Sequence, residues 1–191
     1  MKRFIANNAR TIFQAGLIVI ICLSATQAYA QQRDNLTDAE TELIRFHQEL
    51  DKRIEVFIKA ADRRLAIING TAQPSTKKLM KDEPDWGNLP KGTHTALLSD
   101  IAGILDEAIT NIDDVSRRDE RSPLVSRALR KLTTAANGYL NQIAELRSKT
   151  NDPDEIAAME RVADNANQII EAGGKLGPAP PPEDNKKKKK P

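Results

Sequence analysis

Apolar side chains recur at intervals of three and four along most of this chain, the period of helices that bury one face. The first stripe runs Leu43, His47, Leu50, Ile54, Phe57, Ala61, Leu65 and Ile68, and predicts one continuous helix over 38–69. Thr37-Asp38-Ala39-Glu40 reads as a capping box at its start, and Asn69-Gly70 as its stop. At 1.5 Å per residue this helix is expected to be about 48 Å long. A second stripe, Leu97, Leu98, Ile101, Leu105, Ala108, Ile112 and Val115, predicts a helix over 94–117. Ser122-Pro123 opens a third over 123–149, with Val125, Ala128, Leu129, Leu132, Ala136, Tyr139, Ile143 and Leu146 on its apolar face. Asp152-Pro153 opens a fourth over 153–172, with Ile156, Met159, Ala163, Ala166, Ile169 and Ile170. No stretch alternates with period two for long enough to predict a strand.

The expected fold class is therefore all-α: an antiparallel three- to four-helix bundle with a long first helix and a disordered C-terminal tail. The short turns after the second and third helices predict antiparallel neighbours. Folding the second helix onto the third about residue 119 would bring Asp113 and Asp114 towards Arg127 and Arg130. The 70–93 connection is long, holds Pro74, Pro84 and Pro90, and suits either direction of the second helix on the first. The long first helix is expected to protrude at one end or to pair with another chain.

The two ends break the pattern. Lys2, Arg3 and Arg10 precede an apolar run from Ile12 to Leu23, and Ala28-Tyr29-Ala30 follows. This is the form of a cleaved signal peptide over 1–30, with Gln31 as the new first residue. The run is shorter than the roughly 20 apolar residues that span a bilayer, so no transmembrane anchor is expected after cleavage. Ile21 stands before Cys22, where lipid attachment requires a small residue. The expected location is periplasmic or secreted, with the helical domain over 31–175. Residues 176–191 are rich in proline and end in Lys186, Lys187, Lys188, Lys189, Lys190 and Pro191, a composition that cannot bury a core.

Charge follows this division. The whole chain carries a formal net charge of +2, but residues 31–182 hold 21 basic and 25 acidic side chains. The body is mildly acidic and the basicity is local, the opposite of a nucleic-acid-binding body. The single cysteine, Cys22, lies in the signal, so the exported chain has no disulfide, thiol nucleophile or thiolate metal site.

Candidate chemistry is sparse. The two histidines, His47 and His94, fall on the first stripe and at the start of the second helix. They read as a core-edge imidazole and a helix-start residue rather than as metal or haem ligands, because neither belongs to a Glu-x-x-His pair. No phosphate-binding loop, dinucleotide fingerprint, His-Glu-x-x-His or Gly-x-Ser-x-Gly motif occurs, so no catalytic, cofactor or metal residue is assigned. Gly103 and Gly138 interrupt the second and third helices off their apolar stripes and read as tolerated surface glycines, the alternative being a polar face that lets a partner approach closely. The residues with interaction character are Trp86, in the long connection, and Lys186 to Lys190. Trp86 is either a pin that holds the loop to the helices or a recognition anchor. The expected function is an exported, non-catalytic interaction module binding protein or an anionic envelope polymer. The alternatives are a small-ligand, metal or haem carrier and an enzyme without a recognised signature.

Overall fold

The computed structural model describes residues 34–72, 85–119 and 122–177. Every element among them is a helix: α1 (Asp38–Phe46), α2 (Leu50–Ile68), α3 (His94–Arg118), α4 (Pro123–Arg147) and α5 (Pro153–Gly174). The chain is all-α over these residues.

Local chemistry accounts for most of the ends. The capping box at α1 forms: Thr37 Oγ1 accepts from the Glu40 amide at 3.3 Å, and Glu40 Oε2 accepts from the Thr37 amide at 2.9 Å. Thr93 and Asp152 cap α3 and α5 in the same way, while Pro123 and Pro153 occupy the first turns of α4 and α5. At the end of α2, Gly70 takes φ +68°, which lets its amide reach the Ile67 carbonyl and the Thr71 amide reach that of Ala66. This is the Schellman closure that Asn69-Gly70 predicts.

The first predicted helix is not continuous. His47 (φ −84°, ψ 111°) and Glu49 (φ −76°, ψ 131°) are extended, and they divide it into α1 and α2. In an unbroken helix, residues 40 and 64 would lie about 36 Å apart. Instead Glu40 bonds Arg63 and Arg64, so α1 folds back along α2 as the short arm of a helical hairpin. The protruding end expected of a 48 Å helix is absent from this arrangement. The stripe of apolar residues runs through the break unbroken, and no glycine or proline marks it. The break follows from tertiary bonding to Glu40, which outweighs the local helix preference of residues 46–49.

Side chains from α2 to α5 form one core, with Phe57, Leu65, Leu98, Ile101, Leu132, Tyr139, Met159 and Ile169 among its buried members. α4 packs most extensively on α5, α3 on both α2 and α5, and α2 on α4, whereas α3 and α4 touch only lightly. The consecutive pair α3–α4 therefore lies across the core rather than side by side. Polar contacts give the registers. Lys131 of α4 meets Asp51 of α2, Tyr139 meets Ile58 and Gln142 meets Asn69, so residue numbers rise together along this seam. They rise together again between α3 and α5, where His94 faces Glu155, Ser99 accepts from Arg161 and the Ala102 carbonyl accepts from Asn165. Along α4 and α5 they run in opposite senses: Thr133 reaches the Ile169 carbonyl, and Arg130 the carbonyl of Gly177. The light α3–α4 contact explains why the expected attraction of Asp113 and Asp114 to Arg127 and Arg130 does not define the turn. Asp114 pairs with Arg117 within α3, at 3.4 Å, and Arg130 turns to Gly177.

Candidate functional site

The densest polar arrangement among the described residues joins α1, α2, α3 and the 85–90 segment. It is built around Arg64, whose place on the inner edge of α2 leaves it 1% exposed, and Glu40, which is fully buried. Their fork-to-fork pairing uses Nη1 to Oε1 at 3.1 Å and Nη2 to Oε2 at 3.0 Å. The remaining Arg64 donors reach the Ala60 carbonyl at 2.8 Å, the Asn35 carbonyl, and Asp100 Oδ2 at 3.4 Å. All five guanidinium hydrogens are thereby engaged. Each Glu40 oxygen accepts twice, because Arg63 Nη1 adds 2.7 Å to Oε1 and the Thr37 amide bonds Oε2. Burying such ions is costly, and full satisfaction of donors and acceptors is the condition under which the cost is offset.

Two glycines make room for this knot. A Cβ on Gly103 would lie 2.2 Å from the Asn35 side-chain nitrogen, so the bare α3 backbone at 103 seats the segment entering α1. This corrects the expectation of a tolerated surface glycine. Gly138 has open space around it and fits that expectation. Gly87, at φ +60°, passes so close to α1 that a Cβ there would meet that of Ala39 at 2.9 Å.

Trp86 belongs to the edge of the knot. It is half-buried, with Lys59 Nζ 5.5 Å and the Arg63 guanidinium carbon 5.6 Å from its ring centre. Arg63 also donates to the Asn88 carbonyl at 2.7 Å, and Asp85 Oδ1 accepts the Gly87 amide at 2.8 Å. The indole thus lies against two cations of α2, and Arg63 joins the loop to Glu40. Lys186, Lys187, Lys188, Lys189 and Lys190 lie outside the described residues, and so does the 1–30 segment that reads as a signal.

A second polar cluster stitches α2 to α4. Lys131 bonds Asp51 at 2.9 Å and also Glu55, which Lys52 approaches at 3.2 Å. Burial pushes the Asp51 carboxyl up, but the bond from Lys131 and the charges of Lys131, Arg127 and Lys52 outweigh it and hold it below its ordinary range. Glu55 is lowered in the same way by Lys131 and Lys52. Burial would lower Lys131, yet the two carboxylates leave it raised. In the seam above, Tyr139 donates to the Ile58 carbonyl at 3.1 Å, and burial with the nearby Asp62 carboxylate drives its phenol well above the usual range.

His47 is half-buried at the α1–α2 break, edge-on to Phe46 at 5.4 Å, and His94 is exposed at the start of α3, 3.5 Å from Glu155. Met159 is buried in the core. Among the described residues, no three His, Asp or Glu side chains gather in a way that would hold a metal ion, and no helix is long and apolar enough to cross a membrane. The knot itself was not foreseen from the sequence. The only sequence signal for it was Glu40 in the capping box, read as a local feature. Compared with known protein families, curated proteins and solved structures, the chain matches none.

Proposed function

We propose that this chain is an exported interaction module that works by binding rather than by catalysis. One observation carries the reading. The buried ionic side chains among the described residues, Glu40, Asp51, Arg64 and Asp100, each engage another side chain of the fold. They serve as fastenings between helices. A catalytic acid or base instead needs a proton it can exchange with a substrate.

The architecture that supports this role is an up-and-down bundle of α2 to α5, with α1 as an added strap. The registers favour it: α2 and α4 share one direction, α3 and α5 share the other, and the α3–α4 turn is short. The signal-like residues 1–30 favour delivery outside the cytoplasm, to the periplasm or beyond. The partner is a protein or an anionic envelope polymer, and the contact chemistry is cationic. Five consecutive lysines beyond a proline-rich spacer present a positive tip on an acidic body. Anionic surfaces attract such clusters by about 1 kcal/mol per basic residue, and salt screens the effect.

The test is a comparison of residues 31–191 with a form ending at Gly177, using vesicles that contain anionic lipid and soluble anionic cell-wall polymer. The longer form should bind better at low salt, and moderate salt should remove the difference. Equal binding by both forms at low salt overturns the cationic-tip reading.

A further inference from the structure

The break between α1 and α2 has the properties of a hinge. Its residues, Phe46-His47-Gln48-Glu49, contain no glycine or proline, and the apolar stripe Leu43, His47, Leu50 passes through it in helical phase. The start of α2 has no side-chain cap, unlike α1, α3 and α5. The hinge also carries Phe46, 77% exposed and the one large hydrophobic side chain left exposed among the described residues. The contacts of α1 all lie on one side of this hinge. Glu40 engages Arg63 and Arg64, Asn35 sits on Gly103, and Leu36 and Ile44 pack on the core edge.

We propose that α1 exchanges between two copies of this chain, giving a dimer in which residues 38–68 form one continuous helix. Straightening the hinge carries α1 away from its own α2–α3 groove. Among the described residues one segment fits the groove so vacated: it brings the Glu40 carboxylate to the height of Arg63 and Arg64, flanked by Leu36 and Ile44. The α1 of a second copy supplies it. The exchange remakes every contact of the closed form, so the balance between the two forms rests on the hinge. There the His47 amide already bonds the Leu43 carbonyl, the open form gains the helical hydrogen bonds of the Gln48 and Glu49 amides, and the two hinges approach each other across the two-fold axis. Phe46 is then covered by its symmetry mate, which accounts for an aromatic ring placed in solvent at that point. The closed form is favoured in dilute solution, because it forms without losing the freedom of a second molecule.

Two hinge variants of residues 31–191 separate the forms, with mass in solution measured from micromolar to millimolar concentration. Glu49→Pro suits the closed hinge, since Glu49 already has φ −76° and its amide lies outside the α2 ladder. It breaks a continuous helix. It should stay monomeric throughout with an unchanged helical spectrum. The triple variant His47→Ala, Gln48→Ala, Glu49→Ala favours the straight form, and should lower the concentration at the dimer midpoint by about tenfold or more. A charge exchange then identifies the contact. Chains carrying Glu40→Arg are mixed with chains carrying Arg63→Glu and Arg64→Glu, both in the alanine-hinge background. Only a swapped heterodimer restores opposite charges in both grooves, so dimers containing one chain of each kind should predominate. A monomeric alanine-hinge variant overturns the proposal. So does dimerisation of the Glu49→Pro form, or a mixture without preferential heterodimers.

Discussion

Gly103 shows how a single position decides what the knot can be. Its neighbours in sequence, Ser99 and Asp106 on the same helix face, mark it as polar surface, and nothing local distinguishes it from Gly138. The difference is tertiary: Asn35, distant in sequence, rests on one glycine and nothing rests on the other. Alanine is favoured over glycine inside a helix by about 1 kcal/mol. Gly138→Ala should therefore stabilise the protein by roughly that amount. Gly103→Ala should instead lower stability by about 1 kcal/mol or more, because the new methyl displaces the residue whose carbonyl bonds Arg64. In a chain that also carries Asn35→Ala the obstruction is relieved, and Gly103→Ala should recover most of its helix-propensity gain. Denaturant unfolding of the four chains measures this coupling directly. Equal effects at 103 and 138 would mean that Asn35 does not occupy the groove. Glu40 carries the same lesson. The capping box identified its bond to Thr37, and that bond forms, but one oxygen–amide contact in the sequence gave no sign of two arginines arriving from the end of the next helix.

At the scale of elements, the helices were legible where their ends carry their own chemistry. Pro123, Asp152 and Asn69-Gly70 mark boundaries that the structure keeps within about two residues, whereas the Thr93 cap emerges only in the structure. The α1–α2 break was illegible for the opposite reason, since nothing in its own residues marks a stop and tertiary contacts of α1, led by the bonds of Glu40 to Arg63 and Arg64, pull the chain back. The seam between α2 and α4 was illegible too, because Asp51, Glu55 and Lys131 read as ordinary surface charges until the two helices are placed in parallel. Their titration gives a signed expectation. Asp51 and Glu55 are held below their ordinary values of 3.8 and 4.5, so their contribution is present above those values and is lost as pH falls through the lowered ones. Lys131 is held above 10.5, so its contribution is present below that value and is lost as pH rises beyond it. Stability should thus pass through a broad plateau and fall on both flanks. Lys131→Met should flatten the acid flank below about pH 4.5, since the carboxylates then lose the ammonium that lowers them. Glu55 and Lys131 are partly open to solvent, so added salt should shrink the wild-type slope as well. Thermal melts from pH 2.5 to 7 check this, and an unchanged acid slope in Lys131→Met would remove the seam from the account.

For the whole molecule, narrow apolar stripes on four segments indicated a helical fold, but equal stripes cannot say which helices are neighbours. A short turn serves a pair across the core as well as a pair side by side, and the light contact of α3 with α4 is settled by packing of all four helices at once. The same view places the outermost bonds among the described residues. The segment entering α1 is fastened from Asn35 onward, so cleavage after Ala30 would leave every described contact of the strap intact. At the other end the last fastening among the described residues is the Gly177 carbonyl, which accepts from Arg130, while the Lys175 and Leu176 amides close the last turn of α5 on Ala172 and Gly173. Mass spectrometry of protein recovered from outside the cytoplasm should find Gln31 as its first residue, as the proposed export requires. Residues 31–177 keep all of these bonds and should unfold at the same midpoint as 31–191. Ending the chain at Gly174 should lower stability by about 1.5–4.5 kcal/mol, since three hydrogen bonds are lost at about 0.5–1.5 kcal/mol each. A drop already present in the form ending at Gly177 would show that the proline- and lysine-rich segment packs on the helices, and that its five cations belong to the fold rather than to a partner.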